Sequence, residues 1–385
     1  MHLCAILLLS FLITISTNKI NRQIIETFSE SRGGFFITLF FGEQLKKQSY
    51  LIDLLNPYTI ELNNSILSKS LQLENITIKN EAVPACLYKE DIKFPSSGFE
   101  TSLYFYYIEF QKKAKLQYQF STISLSLSQN TTHSIVNDLY QRGIISERSF
   151  SFMGKYIIEN YSQGLLYFGA VPENKLPTMT CKVEPGYNDW GCFLKTINVI
   201  IDTRVESFQV NKFTVFGTKE SILIVPDDFF NFISEKVLLP FLKEKKCRKL
   251  NFKEYQHIEC QCRVVDSVLF YFNFKNQENK IINVDLFERY GNQCVFMVEN
   301  RKDIPEWTFG TSFLRKFISS FNYDERRVTL YSKKIIDGQN ETNIIGSEKN
   351  KNVCKIIFFF GNFILIINSV LLIYLNRIIY INKKL

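Results

Sequence analysis

Short runs rich in Ile, Phe, Tyr, Val and Leu fill the chain from about residue 18 to 350, and Gly, Pro, Asn or Asp breaks each within a few residues. That punctuation leaves little room for long helices and is the pattern of an all-β sandwich or barrel. Strands are expected over Gly34–Phe41, Tyr50–Asp53, Leu103–Phe110, Lys115–Leu127 and Leu165–Phe168. Val268–Phe274 and Ile281–Val284 read as a hairpin across the polar 275–280 turn. Two segments carry helical spacing. Ser134–Arg142 sets Ile135, Val136, Leu139 and Tyr140 on one face and ends at Gly143 as a C-cap. Asp227–Leu239 follows Pro226 with two acids in its first turn, which suits the helix dipole.

Both ends differ from this body. Residues 1–17 form an apolar run closed by small residues and then by Asn18 and Lys19, the pattern of a signal peptide. Ile356–Leu375 is a second apolar run, and at 1.5 Å per residue it reaches about 30 Å, the thickness of a bilayer core. Asn362 and Asn368 lie inside it, while Arg377, Lys383 and Lys384 come after it. A cleaved lipid-anchor signal ends in its apolar stretch, so this tail points to a retained transmembrane helix. The expected order is signal peptide 1–17, body to 335, juxtamembrane linker 336–355, helix 356–375 and cytosolic tail 376–385. Such a chain is a single-pass type I membrane protein with its body in the lumen or outside the cell, and the membrane is one expected partner. Asn-x-Ser/Thr triplets begin at Asn63, Asn75, Asn130, Asn160 and Asn340, all between the two apolar ends, and are candidate glycosylation sites.

The net charge of +8 is spread thinly, with no basic block or stripe, so no nucleic-acid partner is implied. Seven cysteines lie in the body: Cys86, Cys181, Cys192, Cys247, Cys260, Cys262 and Cys294. In an oxidising compartment they should mostly be disulfides, and the odd number leaves one over. Cys260-Gln261-Cys262 brings a metal site to mind. With only three histidines and no facing Cys-x-x-Cys pair, neither metal nor cofactor is expected. The motifs of serine hydrolases, zinc proteases and P-loop enzymes are missing.

Eight separated pieces, in order over about residues 34–332, together resemble the pepsin-like aspartic proteases. Phe35-Phe36-Ile37-Thr38-Leu39-Phe40-Phe41-Gly42 is similar to that family's opening strand and turn, and Tyr50-Leu51-Ile52-Asp53 comes at the spacing of its first catalytic Asp. The stretch 139–152 resembles its helix, Gly turn and Phe-Ser strand. The stretch 164–171 resembles the strand that joins the lobes. Trp190 stands where an aromatic opens the second lobe, and Ser221-Ile222-Leu223-Ile224-Val225-Pro226 resembles the segment after the second catalytic motif. Trp307–Arg315 and Phe321–Asp324 resemble the closing strands. The resemblance implies a bilobal all-β fold with few short helices, lobes at 18–170 and 171–335, and a cleft to which each lobe gives one Asp. It also implies a second-lobe disulfide, which Cys262 and Cys294 fit. Cys247–Cys260 and Cys181–Cys192 would then pair, with Cys86 left over.

The chemistry implied by the resemblance needs two carboxylates about 3 Å apart that share one proton and one water. Here both motifs are altered. Asp53 is followed by Leu54-Leu55-Asn56-Pro57, where the family has Thr-Gly-Ser/Thr, so Leu55 takes the glycine place. Counting back from Ser221, the second Asp-Thr-Gly-Thr slot holds Gly217-Thr218-Lys219-Glu220. Glycine has no carboxylate, and Lys219 replaces the turn glycine. Asp202, in Ile201-Asp202-Thr203, imitates the motif but lies only twelve residues after Trp190, about half the family spacing, and reads as a hairpin residue. Glu220 and Asp227 place carboxylates nearby without filling the slot. For the substrate-covering flap, Phe94-Pro95-Ser96-Ser97-Gly98 is the nearest candidate. Asp53 alone is either a turn acid or a polar anchor in a binding cleft. The expected function is a proteolytically inactive, membrane-anchored ectodomain that holds a peptide or protein partner between its lobes. The alternatives are an active endopeptidase with an unusual dyad and a structural surface glycoprotein.

Overall fold

The computed structural model describes residues 23–31, 34–41, 45–62, 70–78, 81–108, 120–128, 134–154, 163–169, 177–202, 204–251, 256–275, 281–300 and 307–332. The segments read as signal peptide, linker, transmembrane helix and tail lie outside these residues, as do Asn63, Asn130, Asn160 and Asn340. Among the described residues no helix is long and apolar enough to cross a membrane.

A 13-stranded sheet dominates. From one edge its strands are Pro177–Lys182, Arg327–Ser332, Phe317–Asn322, Ser149–Gly154, Gln163–Gly169, Gln23–Ser31, Gly34–Phe41 and Lys46–Asp53, then Thr122–Ser124, Ile60–Glu61, Glu100–Tyr107, Glu81–Lys93 and Ser70–Ile78. Gly34–Phe41 also pairs with Glu81–Lys93 through Phe40 and Lys93, which closes the second half of the sheet on itself. A seven-stranded sheet is built round the hairpin Gly191–Ile201 and Arg204–Phe216, and a four-stranded sheet carries the later cysteines. A large apolar core runs through these layers, with two smaller clusters beside it. At its centre Phe150 stacks on Phe321 at 4.8 Å, and the buried Trp190 packs edge-on against both.

Short apolar runs bounded by turn residues predict their strands well. Gly34–Phe41 has those bounds in the structure, and Val268–Phe274 pairs with Ile281–Val284 as the expected hairpin. Asp202 does sit at a hairpin turn, at φ 52° between Ile201 and Arg204. Of the strand expected over Lys115–Leu127, the described part pairs only at Thr122–Ser124. The first helix runs Ile135–Gln141, with Ser134 as its N-cap and Gly143 at φ 67° beyond its end.

The second helix differs from expectation. Asp227–Phe232 is α-helical, the turn then widens over Ile233–Val237, and a new helix starts at Leu239. Pro240 explains the break. It has no N–H to give the carbonyl four residues back. That carbonyl, on Lys236, accepts instead from Arg204 Nη2 at 2.8 Å.

Disulfides join Cys181 to Cys192, Cys247 to Cys260 and Cys262 to Cys294, and Cys86 is a free thiol. Cys260 and Cys262 therefore serve two different bridges. Replacing Cys262 and Cys294 together by Ala should cost about 3–4 kcal/mol, because the bridge closes a 32-residue separation. Denaturant unfolding of both forms measures it.

Candidate functional site: two matching turns

Asp53 ends the strand Lys46–Asp53, which runs parallel to Thr122–Ser124 with Asp53 opposite Ser124. Further back on that strand, the Tyr50 hydroxyl donates to the buried Glu61, which also accepts from Ser121 Oγ at 2.8 Å. Past Asp53, Ile60 lies antiparallel to Thr122 and parallel to Tyr106. The same arrangement recurs in the seven-stranded sheet. Arg204–Phe216 runs parallel to Thr308–Phe309, Ile224 lies antiparallel to Thr308, and Ile224 is parallel to Glu299. Gly217 and Ile224 are seven residues apart, as are Asp53 and Ile60. Gly217 therefore holds the position in its sheet that Asp53 holds in the other, and Thr218 and Lys219 match Leu54 and Leu55.

The two turns are clasped. Thr218 Oγ1 donates to the carbonyl of Ile52 at 2.6 Å, and Phe35 N–H donates to the Thr218 carbonyl at 3.1 Å. The reciprocal place belongs to Leu54, whose fully buried side chain has no hydroxyl to give.

The Asp53 turn keeps its shape without the expected Thr and Gly. Asp53 Oδ1 accepts from the backbone N–H of Leu55 at 3.0 Å and of Asn56 at 3.1 Å, the local turn that Asp favours. Leu55 has no positive φ, so its Cβ brings no backbone strain. Its side chain lies toward the twin turn, where a Cβ on Gly217 would be 3.9 Å from Leu55 Cδ1 and 3.0 Å from Thr308 Cγ2. Geometry around Asp53 is thus retained, and the change lies in the opposing group.

That group is Lys219. Its Nζ is 2.6 Å from Asp53 Oδ2, with the carboxylate only 1% exposed and the lysine side chain 34% exposed. An ammonium stands where the family chemistry would need a second carboxylate. The pair is neutral, and the lysine competes for the oxygen that would otherwise hold a water. Sequence reading found Lys219 as a lost glycine but not as a cross-turn ion pair, because the contact depends on bringing residues 53 and 219 together.

A second carboxyl was missed altogether. Asp189 precedes Trp190, whose indole N–H donates to the Leu125 carbonyl at 2.8 Å, while Leu125 N–H donates to the Asp53 carbonyl at 2.8 Å. This chain of bonds brings Asp189 into the neighbourhood of Asp53. Burial first, then the charge of Asp53, pushes the Asp189 carboxyl above its usual range. A carboxyl raised on folding supports the fold below its unfolded pKa and withdraws that support as pH climbs through the folded value. Asp189→Asn should therefore raise the melting temperature at pH 7 and leave it unchanged at pH 3, as read by thermal unfolding at both values.

The other sequence candidates are placed elsewhere. Asp202 lies the full length of Arg204–Phe216 from Gly217. Asp227 caps the second sheet's edge and bonds to Asn300. The 94–98 turn does not lie over Asp53. Glu26 accepts from the N–H groups of Ser96 and Ser97 at 3.0 and 2.8 Å, and Thr27 bonds to Ser96. Through the pairs Ser29–Phe36 and Phe36–Leu51, Glu26 is five residues along the sheet from the level of Asp53, roughly 16 Å. Of the glycosylation triplets, Asn75 is described and is exposed on the edge strand Ser70–Ile78.

A family model described as eukaryotic aspartyl protease matches residues 91–333. Among solved structures, an aspartic proteinase from Irpex lacteus superposes with a TM-score of 0.59 at 11% identity, over 81% of this chain and 98% of its own. Basic 7S globulin from soybean superposes with a TM-score of 0.63 at 11% identity, over 81% of this chain and 95% of its own. No curated protein matches the sequence.

Proposed function

Because the chain belongs to the eukaryotic aspartyl protease family, we propose that its body is a protease-derived binding module that no longer cleaves peptides and holds a peptide or protein segment in the cleft. The observation that carries this reading is the Lys219–Asp53 ion pair opposite Gly217. A lone, charge-neutralised Asp cannot divide the roles of acid and base that peptide hydrolysis requires. The fold by itself does not decide the matter, since one solved neighbour is named a proteinase and the other a globulin.

Three disulfides suit a secreted or luminal body. The signal peptide, glycans and the helix at 356–375 complete the proposal as a type I membrane protein. Immobilised protein should retain intact peptides from a randomised library and release them unshortened on elution, as read by mass spectrometry. Retention of no peptide, or of shortened peptides alone, refutes the module.

One observation favours the second reading, an endopeptidase with an unusual dyad: Asp189 feels the charge of Asp53. On that reading Asp189 would supply the missing carboxylate, and turnover would vanish in Asp189→Asn.

A further inference from the structure

At the far edge of the 13-stranded sheet, the strand Ser70–Ile78 pairs on one side only among the described residues, with Glu81–Lys93. Successive side chains on a strand point to opposite faces. Ile76 and Ile78 point inward, into a small apolar cluster with Val83, Ala85 and Leu87. Leu73, Asn75 and Thr77 share the other face, and all three are exposed. At 72% exposed, Leu73 is the most open large apolar side chain among the described residues.

A lone exposed leucine is ordinary. This one has apolar neighbours. Across the ladder Leu73 stands opposite Cys86, Asn75 opposite Pro84 and Thr77 opposite Ala82. Ala82 is exposed, and Pro84 and Cys86 are half-buried. Around Asn75 the outward face is therefore apolar, where the solvated face of an antiparallel sheet is ordinarily polar. The polar exceptions on this strand, Asn75 and Thr77, are the two residues that define a glycosylation triplet.

We propose that an N-glycan on Asn75 folds back on this face, its first N-acetylglucosamine packing across Leu73 and Pro84. The proposal rests on the luminal, glycosylated body inferred above. The reach fits. Leu73 lies two residues from Asn75, about 7 Å along the strand. Pro84 lies directly opposite, at about 5 Å. A sugar ring on the Asn75 side chain covers that span. One face of a pyranose ring presents C–H groups and its rim presents hydroxyls, so the ring buries apolar surface while its polar groups stay in water. The edge is less open to a strand from a second copy, because Thr77 N–H already donates to the Tyr58 hydroxyl at 3.3 Å.

The test uses the full-length chain from a eukaryotic secretory host, beside Thr77→Val, which removes the triplet and keeps a β-branched residue, and Leu73→Ser. Glycopeptide mass spectrometry reads occupancy at Asn75. Cys86, a free thiol opposite Leu73, reports how well the face is covered. Its alkylation by N-ethylmaleimide, read on the Cys86 peptide, should be several-fold faster in Thr77→Val than in the glycosylated chain. Hydrogen exchange over residues 70–78 should rise in parallel. Leu73→Ser should keep the glycan yet alkylate as fast as Thr77→Val, and combining the two should add little. Trimming the folded chain enzymatically to a single N-acetylglucosamine should preserve the slow rates, and removing that last sugar should abolish them. Equal rates with and without the glycan overturn the proposal and leave the glycosylated body standing. So does a self-associated form that protects Cys86 equally without the sugar. An unmodified Asn75 beside glycans at other triplets overturns it too, and no glycan at any triplet overturns the glycosylated body with it.

Discussion

Purified protein incubated with a broad peptide library from pH 2 to 7 is expected to generate no new termini, and Asp53→Ala is expected to look the same. Hydrolysis by a carboxylate pair relies on one group to activate water and another to protonate the carbonyl oxygen. Losing one such partner costs about 10²–10⁴-fold. That penalty applies here. Gly217 supplies no second carboxylate, and Lys219 Nζ at 2.6 Å occupies Oδ2 of the one that remains. The loss is roughly 10²–10⁴-fold relative to an intact dyad. Gly217→Asp alone should not restore cleavage, since Lys219 would still neutralise Asp53. Pepstatin-sensitive turnover that disappears in Asp53→Ala would establish the enzyme reading instead, and its loss in Asp189→Asn would identify the partner.

The second large effect is on stability. Lys219→Met leaves Asp53 buried with two backbone N–H groups and no counter-charge. Breaking a fully buried pair costs about 3–5 kcal/mol. With the lysine one-third exposed, solvent screens part of the interaction, so about 2–3 kcal/mol is expected. Asp53→Asn combined with Lys219→Met removes both charges and should recover most of that loss. Urea denaturation of the two single variants and the double variant gives the coupling directly. A double variant no more stable than Lys219→Met would show that the pair is not energetically coupled.

Much of the fold is legible in local pattern. Gly34–Phe41 is a short apolar run interrupted at Thr38 and followed by Gly42, and Val268–Phe274 with Ile281–Val284 brackets a polar turn, so local pattern finds them. Glu81–Lys93 escapes because Pro84 and four charged residues between Glu81 and Asp91 obscure a 13-residue strand that only its neighbours define. Phe94–Gly98, the nearest candidate for the flap, forms a turn, but turn chemistry does not say at which end of a sheet the turn lies. Glu26, some 70 residues away, holds it there. At the site, spacing from Ser221 leads to Gly217, and the repeated pairing of Ile60 and Ile224 gives the same position. What spacing could not supply is contact across the two turns. Lys219 on Asp53, and Asp189 behind Trp190, are neighbours only after two sheets far apart in sequence are brought together.

The surroundings of Gly217 bear on how such a chain can change over generations. A side chain there asks the Thr308 methyl at 3.0 Å to give by a few tenths of an ångström and meets Leu55 at an ordinary contact distance of 3.9 Å. An aspartate placed there would face a carboxylate already paired with lysine. Removing the lysine first would strand a buried charge. On the proposed reading, no single substitution at 53, 217 or 219 builds a carboxylate pair free of the lysine. In that landscape the ion pair acts as a ratchet. Lineages that carry it should keep both Asp53 and Lys219 or lose both together, and should rarely show either one alone.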